Sequence, residues 1–331
     1  MSSFLSYTYL VDKYANPVSA ESIYLDEETS VKFRIDKGMS TRDIAEQLYD
    51  LGLIQNKTIY RFLSKFNGFD GQYKVGTYTL CEGLSYDEIM TLLAGEPETV
   101  RVTFPEGFTT EQIAARLEAN NVVTADEFLA ALETIDVSSY PFLGELAGTS
   151  RDHRLDGYLF PDTYEFYQGM QASSAINKFL ENFHNRITAE MLEKADERGM
   201  SMQEVVTVAS MIEKEAANDD ERAMIAAVIY NRIAAGMPLQ IDSTIMYVLP
   251  EHKDVLTVED TKIDSPYNTY QNTGLPPTPI ANPGLASIKA TLSPASTKAL
   301  YYALDSESGT HKFFTSYGEF QAFVAKQSYS Q

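Results

Sequence analysis

The sequence predicts an α+β fold on three observations. A strand-turn-helix pattern recurs through the first third of the chain, and helical periodicity dominates from residue 111 onward. A long loop rich in Pro and Gly then follows, with only a short sheet expected beside the helices. Alternation with a period of two marks the strands, and a 3.6-residue apolar period marks the helices.

The recurrence is visible when the chain is compared with itself. Val31–Thr41 precedes Ile44, Ala45 and Leu48, and Val100–Thr110 precedes Ile113, Ala114 and Leu117 at identical offsets. A shorter third copy runs from Gly76 to Ser85, ahead of Ile89, Leu92 and Leu93. Each copy alternates apolar and polar residues, turns at Gly, and offers Ser or Thr to cap the next helix. Units of this size occur in small carbohydrate-binding modules, and equally in ordinary α+β scaffold.

Residues 111–200 read mainly as helices, with a capped start at Thr124 and a long amphipathic stretch over Ala172–Ala195. Between them, Leu155–Tyr164 is aromatic and punctuated by Gly157 and Pro161. Its composition favours a core crossover over the wall of a groove.

Val205–Ala216 places two carboxylates in a helix that otherwise reads as core. Val205, Val208, Ala209, Ile212 and Ala216 share one apolar arc, and Glu215 falls inside it. Glu213 sits at the edge of the arc and Lys214 points away. A carboxylate on a buried face loses solvation, so its pKa rises and it can hold a proton near neutral pH. That is what a general acid requires. A helix-edge Glu that reaches water or meets an Arg is the competing reading.

The polar break Asn218–Arg222 opens a second helix, which ends at Gly236 in the position of a left-handed cap. Arg232 near its end suits the helix dipole. Leu239–Tyr247 alternates polar and apolar residues, as a short strand or turn leading into a helix does. From Pro266 to Gly284 the chain holds five prolines and two glycines. That composition forgoes regular backbone pairing. Tyr267, Tyr270, Leu275 and Ile280 make it too apolar for a free linker.

Composition excludes several classes. At 331 residues the chain suits two or three domains, and 44% hydrophobic residues can fill a sizeable core. A net charge of −21 repels phosphate backbones and anionic lipid, which argues against nucleic acid and electrostatic membrane docking. Neutral, cationic or sugar-rich partners remain compatible. Cys81 is the single cysteine, so no intrachain disulfide forms and no cysteine metal site exists. His153, His184, His252 and His311 lack ligand spacing, so neither a metal nor another cofactor is expected. No run of eighteen apolar residues occurs, and Met1–Leu10 lacks the pattern of a signal peptide. The chain is therefore expected to be cytoplasmic, or a fragment without its export or anchor segment. Trp is absent, while 21 Tyr and 17 Phe supply stacking surfaces.

Several unusual motifs occur in one order. Pro105-Glu106-Gly107 and Gly157–Tyr164 precede Ala209–Glu215, Asn231-Arg232 and Leu239–Thr244. Tyr267–Tyr270, Gly274–Pro277, Ile280–Gly284 and His311–Phe314 follow. In these motifs, over about residues 30–326, the chain resembles the MltG-type (YceG-like) endolytic murein transglycosylases. The resemblance implies an extended segment at 1–29 and a LysM-like module at 30–97. It implies a mostly helical, lysozyme-like catalytic domain at 98–331, whose residues 98–200 hold the second repeat and connecting helices. It also implies the extracytoplasmic face of a bacterial membrane, with contact to the cell-wall synthesis machinery. Such proteins normally begin with a membrane-spanning helix, and none is present here; membrane association is expected only through such an anchor.

By the same resemblance Glu215, the second Glu of the Glu-Lys-Glu motif, is the catalytic acid, the residue the helical projection also selects. Glu213, Gln240, Asp242, Thr244, Tyr267, Asn268 and Tyr270 become candidate substrate-binding residues, with Glu213 positioning or structural. The implied substrate is the peptidoglycan glycan strand. A lytic transglycosylase works with one carboxylate, because the muramic acid C6 hydroxyl attacks its own anomeric carbon. A hydrolytic muramidase pairing Glu215 with Asp242 is a second reading. A non-catalytic glycan-binding scaffold is a third.

Overall fold

Alternation in Val31–Ile35 (β1) points Phe33 and Ile35 inward and Lys32 and Arg34 to solvent. This strand pairs antiparallel with Gly76–Leu80 (β2), placing Phe33 opposite Tyr78. The computed structural model describes residues 23–327 apart from 147–153, 250, 252 and 254–255. Residues 1–22 of the segment read as 1–29 lie outside this set, as do His153 and His252.

After β1 the chain turns at Gly38, and Ser40 with Asp43 closes a capping box on Thr41–Asp50 (α1). Asn56 caps Lys57–Phe66 (α2). Beyond β2, Ser85 with Glu88 closes a second box on Tyr86–Ala94 (α3). The first and third sequence copies thus build one β-α-α-β-α unit, and α2 is an insertion that the repeat did not announce. Phe33, Ile35, Ile44, Ala45, Leu48, Tyr60, Leu80, Ile89 and Leu93 fill its core.

The second copy also forms, as Thr99–Thr103 (β3) and Thr110–Ala119 (α4), but β3 pairs with Thr163–Tyr167 (β4). Ile113, Ala114 and Leu117 are buried, like their counterparts in the first copy. Compactness divides the chain differently from the expected boundary at residue 97. The first unit runs to Val102 and takes in Leu117–Val123 and Glu165–Gln171.

In the second unit Thr124 caps Ala125–Thr134 (α5) as expected. Leu155, Tyr158 and Leu159 are almost fully buried, so the aromatic passage is a core crossover. Tyr158 and Phe183 lie 5.2 Å apart between ring centroids, and Tyr164 and Phe179 4.6 Å. The amphipathic stretch from Ala172 divides into two helices, Ala172–Arg186 (α6) and Ala189–Glu197 (α7). The Thr188 hydroxyl accepts from Met191 N and starts the second one, a local capping choice that periodicity does not register.

Gly157 is required twice over. Its φ is +86°, and a Cβ there would stand 2.5 Å from Val206 and 2.6 Å from Pro279. Left-handed backbone and overpacking each cost an L side chain on the order of 1–3 kcal/mol. Gly157→Ala should therefore lower unfolding stability by about 2–4 kcal/mol in urea titrations. A change below about 0.5 kcal/mol would show that the crossover can shift at no cost.

Met202–Glu215 (α8), Asp219–Ala234 (α9), Asp242–Val248 (α10) and Leu285–Leu292 (α11) carry the site. They are followed by the hairpin Tyr301–Asp305 (β5) and Thr310–Phe314 (β6), then Tyr317–Val324 (α12). Val208, Met211, Ile212, Ile225, Ile229, Leu239, Ile241 and Ile280 form the shared core. Among the described residues there are twelve α-helices and three two-stranded sheets, an α+β architecture. The Pro-rich stretch 264–284 has no helix or strand of its own, yet Asn268, Thr269, Ile280 and Asn282 are buried, so it is ordered and no linker. Asn282 explains part of that order: its side chain accepts from Leu159 N and donates to Phe108 O, both at 2.9 Å.

Candidate active site

The Ser201–Glu204 capping box starts α8, and its Val- and Ala-rich face packs into the core as far as Ile212. Glu215 is the last helical residue; at Ala216 the backbone turns extended. Its carboxylate therefore sits at the helix end that disfavours negative charge. Oε1 accepts from the Ser243 hydroxyl and Oε2 from the Tyr302 hydroxyl, each at 2.9 Å. Burial raises the Glu215 pKa, and the nearby Asp242 adds to the rise; the two hydroxyls and His311 offset only part of it. Burial also lifts the Tyr302 pKa far above the usual phenol range, with the Glu215 charge adding to it. Tyr302 is thus a fixed donor to Glu215.

Glu213 lies deeper than a place at the edge of the apolar arc implied, with its side chain only 6% exposed. Oε1 meets Arg222 at 3.0 Å, while Oε2 accepts from Gly284 N and the Ser287 hydroxyl at 2.9 Å. Both carboxylate oxygens are engaged, so the first glutamate ties α8 to α9 and to the start of α11. The Arg reading raised for Glu215 is the arrangement found at Glu213. Glu106 stands nearby, its pKa raised by burial and by the Glu213 charge.

The polar break and α9 supply the rest of the frame. Glu221 accepts from both the backbone N and Nδ1 of His311, at 2.8 and 2.7 Å. The His311 ring meets the Tyr302 ring edge-on, with centroids 5.3 Å apart. Arg232 does more than complement a helix dipole. It donates to Leu300 O at 2.7 Å and Leu239 O at 2.6 Å. Asn231 donates to Thr297 O and Ala299 O. Together they fix the strand that delivers Tyr302 and the segment that delivers Ser243.

The expected groove residues divide into two sets. Asp242 opens α10 beside Ser243, and its Oδ1 accepts from the Tyr270 hydroxyl. Gln240 holds a left-handed φ of +53°, uncommon for a residue with a long side chain. Its N donates to Thr269 O at 2.9 Å, which fixes the turn into α10. The Tyr267 hydroxyl bonds Thr278 at 2.6 Å, and its ring lies 4.9 Å from that of Tyr247. Glu215, Asp242, Gln240 and Tyr270 therefore belong to one neighbourhood. Asn268 and Thr244 are fully buried. Asn268 donates to Thr261 O and Ile263 O, and Thr244 to Ile241 O. Asn268 holds the loop from inside, and Thr244 the turn into α10.

Ser243 and Tyr302 were not among the expected site residues. Ser243 stands inside a motif singled out in the sequence. Tyr302 lies in a strand without a distinctive pattern, and only the fold brings it to Glu215.

The sequence profile of the YceG-like family matches residues 33–326 of this chain. The chain belongs to the YceG-like family. It is 33% identical over 296 residues to the endolytic murein transglycosylase of Bacillus subtilis, covering 85% of this chain and 81% of that one. The endolytic murein transglycosylase of Streptococcus pneumoniae is 29% identical over 331 residues, 92% of this chain. There the match spans only 59% of the relative's length. A crystal structure of a YceG-like protein from Listeria monocytogenes superposes with a TM-score of 0.63 at 33% identity. That match covers 88% of this chain and 98% of the other. The fold of this YceG-like chain therefore has an experimental counterpart over most of its length.

Proposed function

We propose that this chain is a lytic transglycosylase acting within peptidoglycan glycan strands. In this reading it cleaves the β-1,4 bond between N-acetylmuramic acid and N-acetylglucosamine and leaves 1,6-anhydro ends, with Glu215 as the single acid/base. The observation that carries it is the Glu215 carboxyl: partly buried, raised in pKa, and held by two hydroxyls. The names of the relatives supply the substrate class.

The geometry suits a proton that leaves and returns. Protonated Glu215 gives its proton to the glycosidic oxygen, and the Ser243 and Tyr302 hydroxyls then stabilise the carboxylate that forms. A serine hydroxyl both donates and accepts, so Ser243 turns as the charge changes while Tyr302 keeps donating. The C6 hydroxyl of the muramic acid attacks the anomeric carbon from within the same sugar, and Glu215 takes up its proton. Attack inside one residue gains effective molarity over attack by water and needs no second carboxylate. Asp242 already accepts from Tyr270, which fits an orienting role better than a second base.

Tyr302→Phe removes a donor that favours the ionised form of Glu215. The Glu215 pKa should rise further, so the alkaline limb of the kcat/KM profile should move to higher pH, with kcat falling about 10- to 100-fold. An unmoved limb would mean that Tyr302 does not act through Glu215.

The β-α-α-β-α unit read as LysM-like is proposed to hold a second stretch of the strand. We further propose that the reaction lies on the extracytoplasmic face of the membrane, in the trimming or termination of nascent glycan beside cell-wall synthesis proteins, a reading that a peptidoglycan substrate supports. Mass analysis of digested sacculi tests the chemistry. New ends should be one water lighter than reducing ends, whereas reducing ends would identify a hydrolase.

A further inference from the structure

The two exposed phenylalanines among the described residues, Phe62 and Phe66, both lie on α2, at 66% and 63% exposure. Ile59 on the same helix is half exposed. Five of the eleven large apolar side chains exposed among the described residues fall within residues 49–66, so the exposure is concentrated rather than scattered. Projected along α2, Phe62, Phe66 and Ile59 form a ridge about 60° wide, opposite Tyr60 and Ser64, which face the core. The Phe62 and Phe66 rings stack on each other, with centroids 6.0 Å apart.

Charge runs along the flank of this ridge. The helix carries Lys57, Arg61 and Lys65 and no acidic residue, in a chain whose net charge is −21. Phe62, Arg61 and Lys65 also line a groove of about 490 Å³ together with Arg42 and Asp70. Asp70 is engaged by the Thr41 hydroxyl at 2.5 Å, and Glu46 lies between Lys57 and Arg42, 3.4 and 3.9 Å from them. Arg61 and Lys65 keep their charges on the solvent side. An aromatic ridge edged by cations is the pattern of a helix lying in a membrane interface.

We propose that α2 is a docking surface for an anionic phospholipid membrane, with Phe62, Phe66 and Ile59 entering the headgroup layer and Arg61, Lys65 and Arg42 meeting lipid phosphates. The net negative charge of the chain does not prevent this. Screening confines the interaction to charges within about 8 Å of the surface at physiological ionic strength, and there the face is basic. Docking is independent of the catalytic reading, because it uses none of the residues around Glu215.

The sequence has no Trp, so Phe62→Trp gives the full chain a single fluorophore on the ridge. Its emission should shift to the blue on adding vesicles of phosphatidylcholine with phosphatidylglycerol, and not with phosphatidylcholine alone. Leu192→Trp, an exposed position in the second unit, should not shift. In co-sedimentation, Arg61→Glu/Lys65→Glu and Phe62→Ser/Phe66→Ser should each lower binding to the anionic vesicles by roughly tenfold or more. No blue shift with anionic vesicles at low salt, or binding unaffected by either double substitution, would overturn the proposal. So would saturation by soluble glycerol phosphate polymer without any affinity for vesicles, which would assign the face to a soluble polyanion.

Discussion

Glu215→Gln is expected to lower kcat on peptidoglycan by at least about a hundredfold while leaving the fold intact. Gln occupies the same volume and can still accept from Ser243 or Tyr302, but it has no proton to give. Stability should not suffer. A carboxyl whose folded pKa is raised disfavours the folded state once the pH exceeds its unfolded value, because the folded protein holds the proton more tightly. Replacing it with a neutral amide removes that cost, so unfolding stability near neutral pH should stay level or rise slightly. Activity assays and urea unfolding on the same preparation would show this combination. Retained turnover would exclude Glu215 as the acid. Lost turnover with lost structure would make it a structural residue.

Glu213→Ala should have the opposite profile. The Glu213–Arg222 pair is buried, with side-chain exposures of 6% and 10%, and Arg222 also reaches Ser287 at 2.5 Å. Removing one partner leaves a buried guanidinium partly uncompensated and frees Gly284 N and Ser287. Breaking a pair of this kind costs about 3–5 kcal/mol. Urea unfolding should show that loss. The double variant Glu213→Leu/Arg222→Met should lose less than the two single changes summed, since neither member of the buried pair is then left without the other. A Glu213→Ala protein of full stability but no activity would move Glu213 from the frame into the chemistry.

The contrast between these two glutamates shows what the sequence could reveal. Helical periodicity placed Glu215 on the core side of α8, and the capping box at Ser201 and Glu204 was a local signal. The depth of Glu213 was not legible, because Gly284 and Ser287 lie 71 and 74 residues along the chain. Tyr302, 87 residues from Glu215, was invisible for the same reason. Periodicity measures one helix and says nothing about which distant strand will cover its end. Composition does not register that Asn268 and Thr244 are fully buried. Amides and hydroxyls suit a sugar, but buried carbonyls must also be satisfied: Asn268 serves those of Thr261 and Ile263, and Thr244 that of Ile241 at the turn into α10. The strand-turn-helix copies were read correctly as local units. Their assembly was not evident, because pairing of β1 with β2 and of β3 with β4 is decided by tertiary contacts.

In the proposed mechanism Glu215 acts alone and the sugar supplies its own nucleophile. Cleavage of purified glycan strands in heavy-oxygen water tests it most directly, with mass analysis of the new ends for the wild type and for Asp242→Asn. Both proteins should give anhydro ends without solvent oxygen, differing only in rate. Reducing ends carrying the heavy oxygen from the wild type, and their loss in Asp242→Asn, would contradict it.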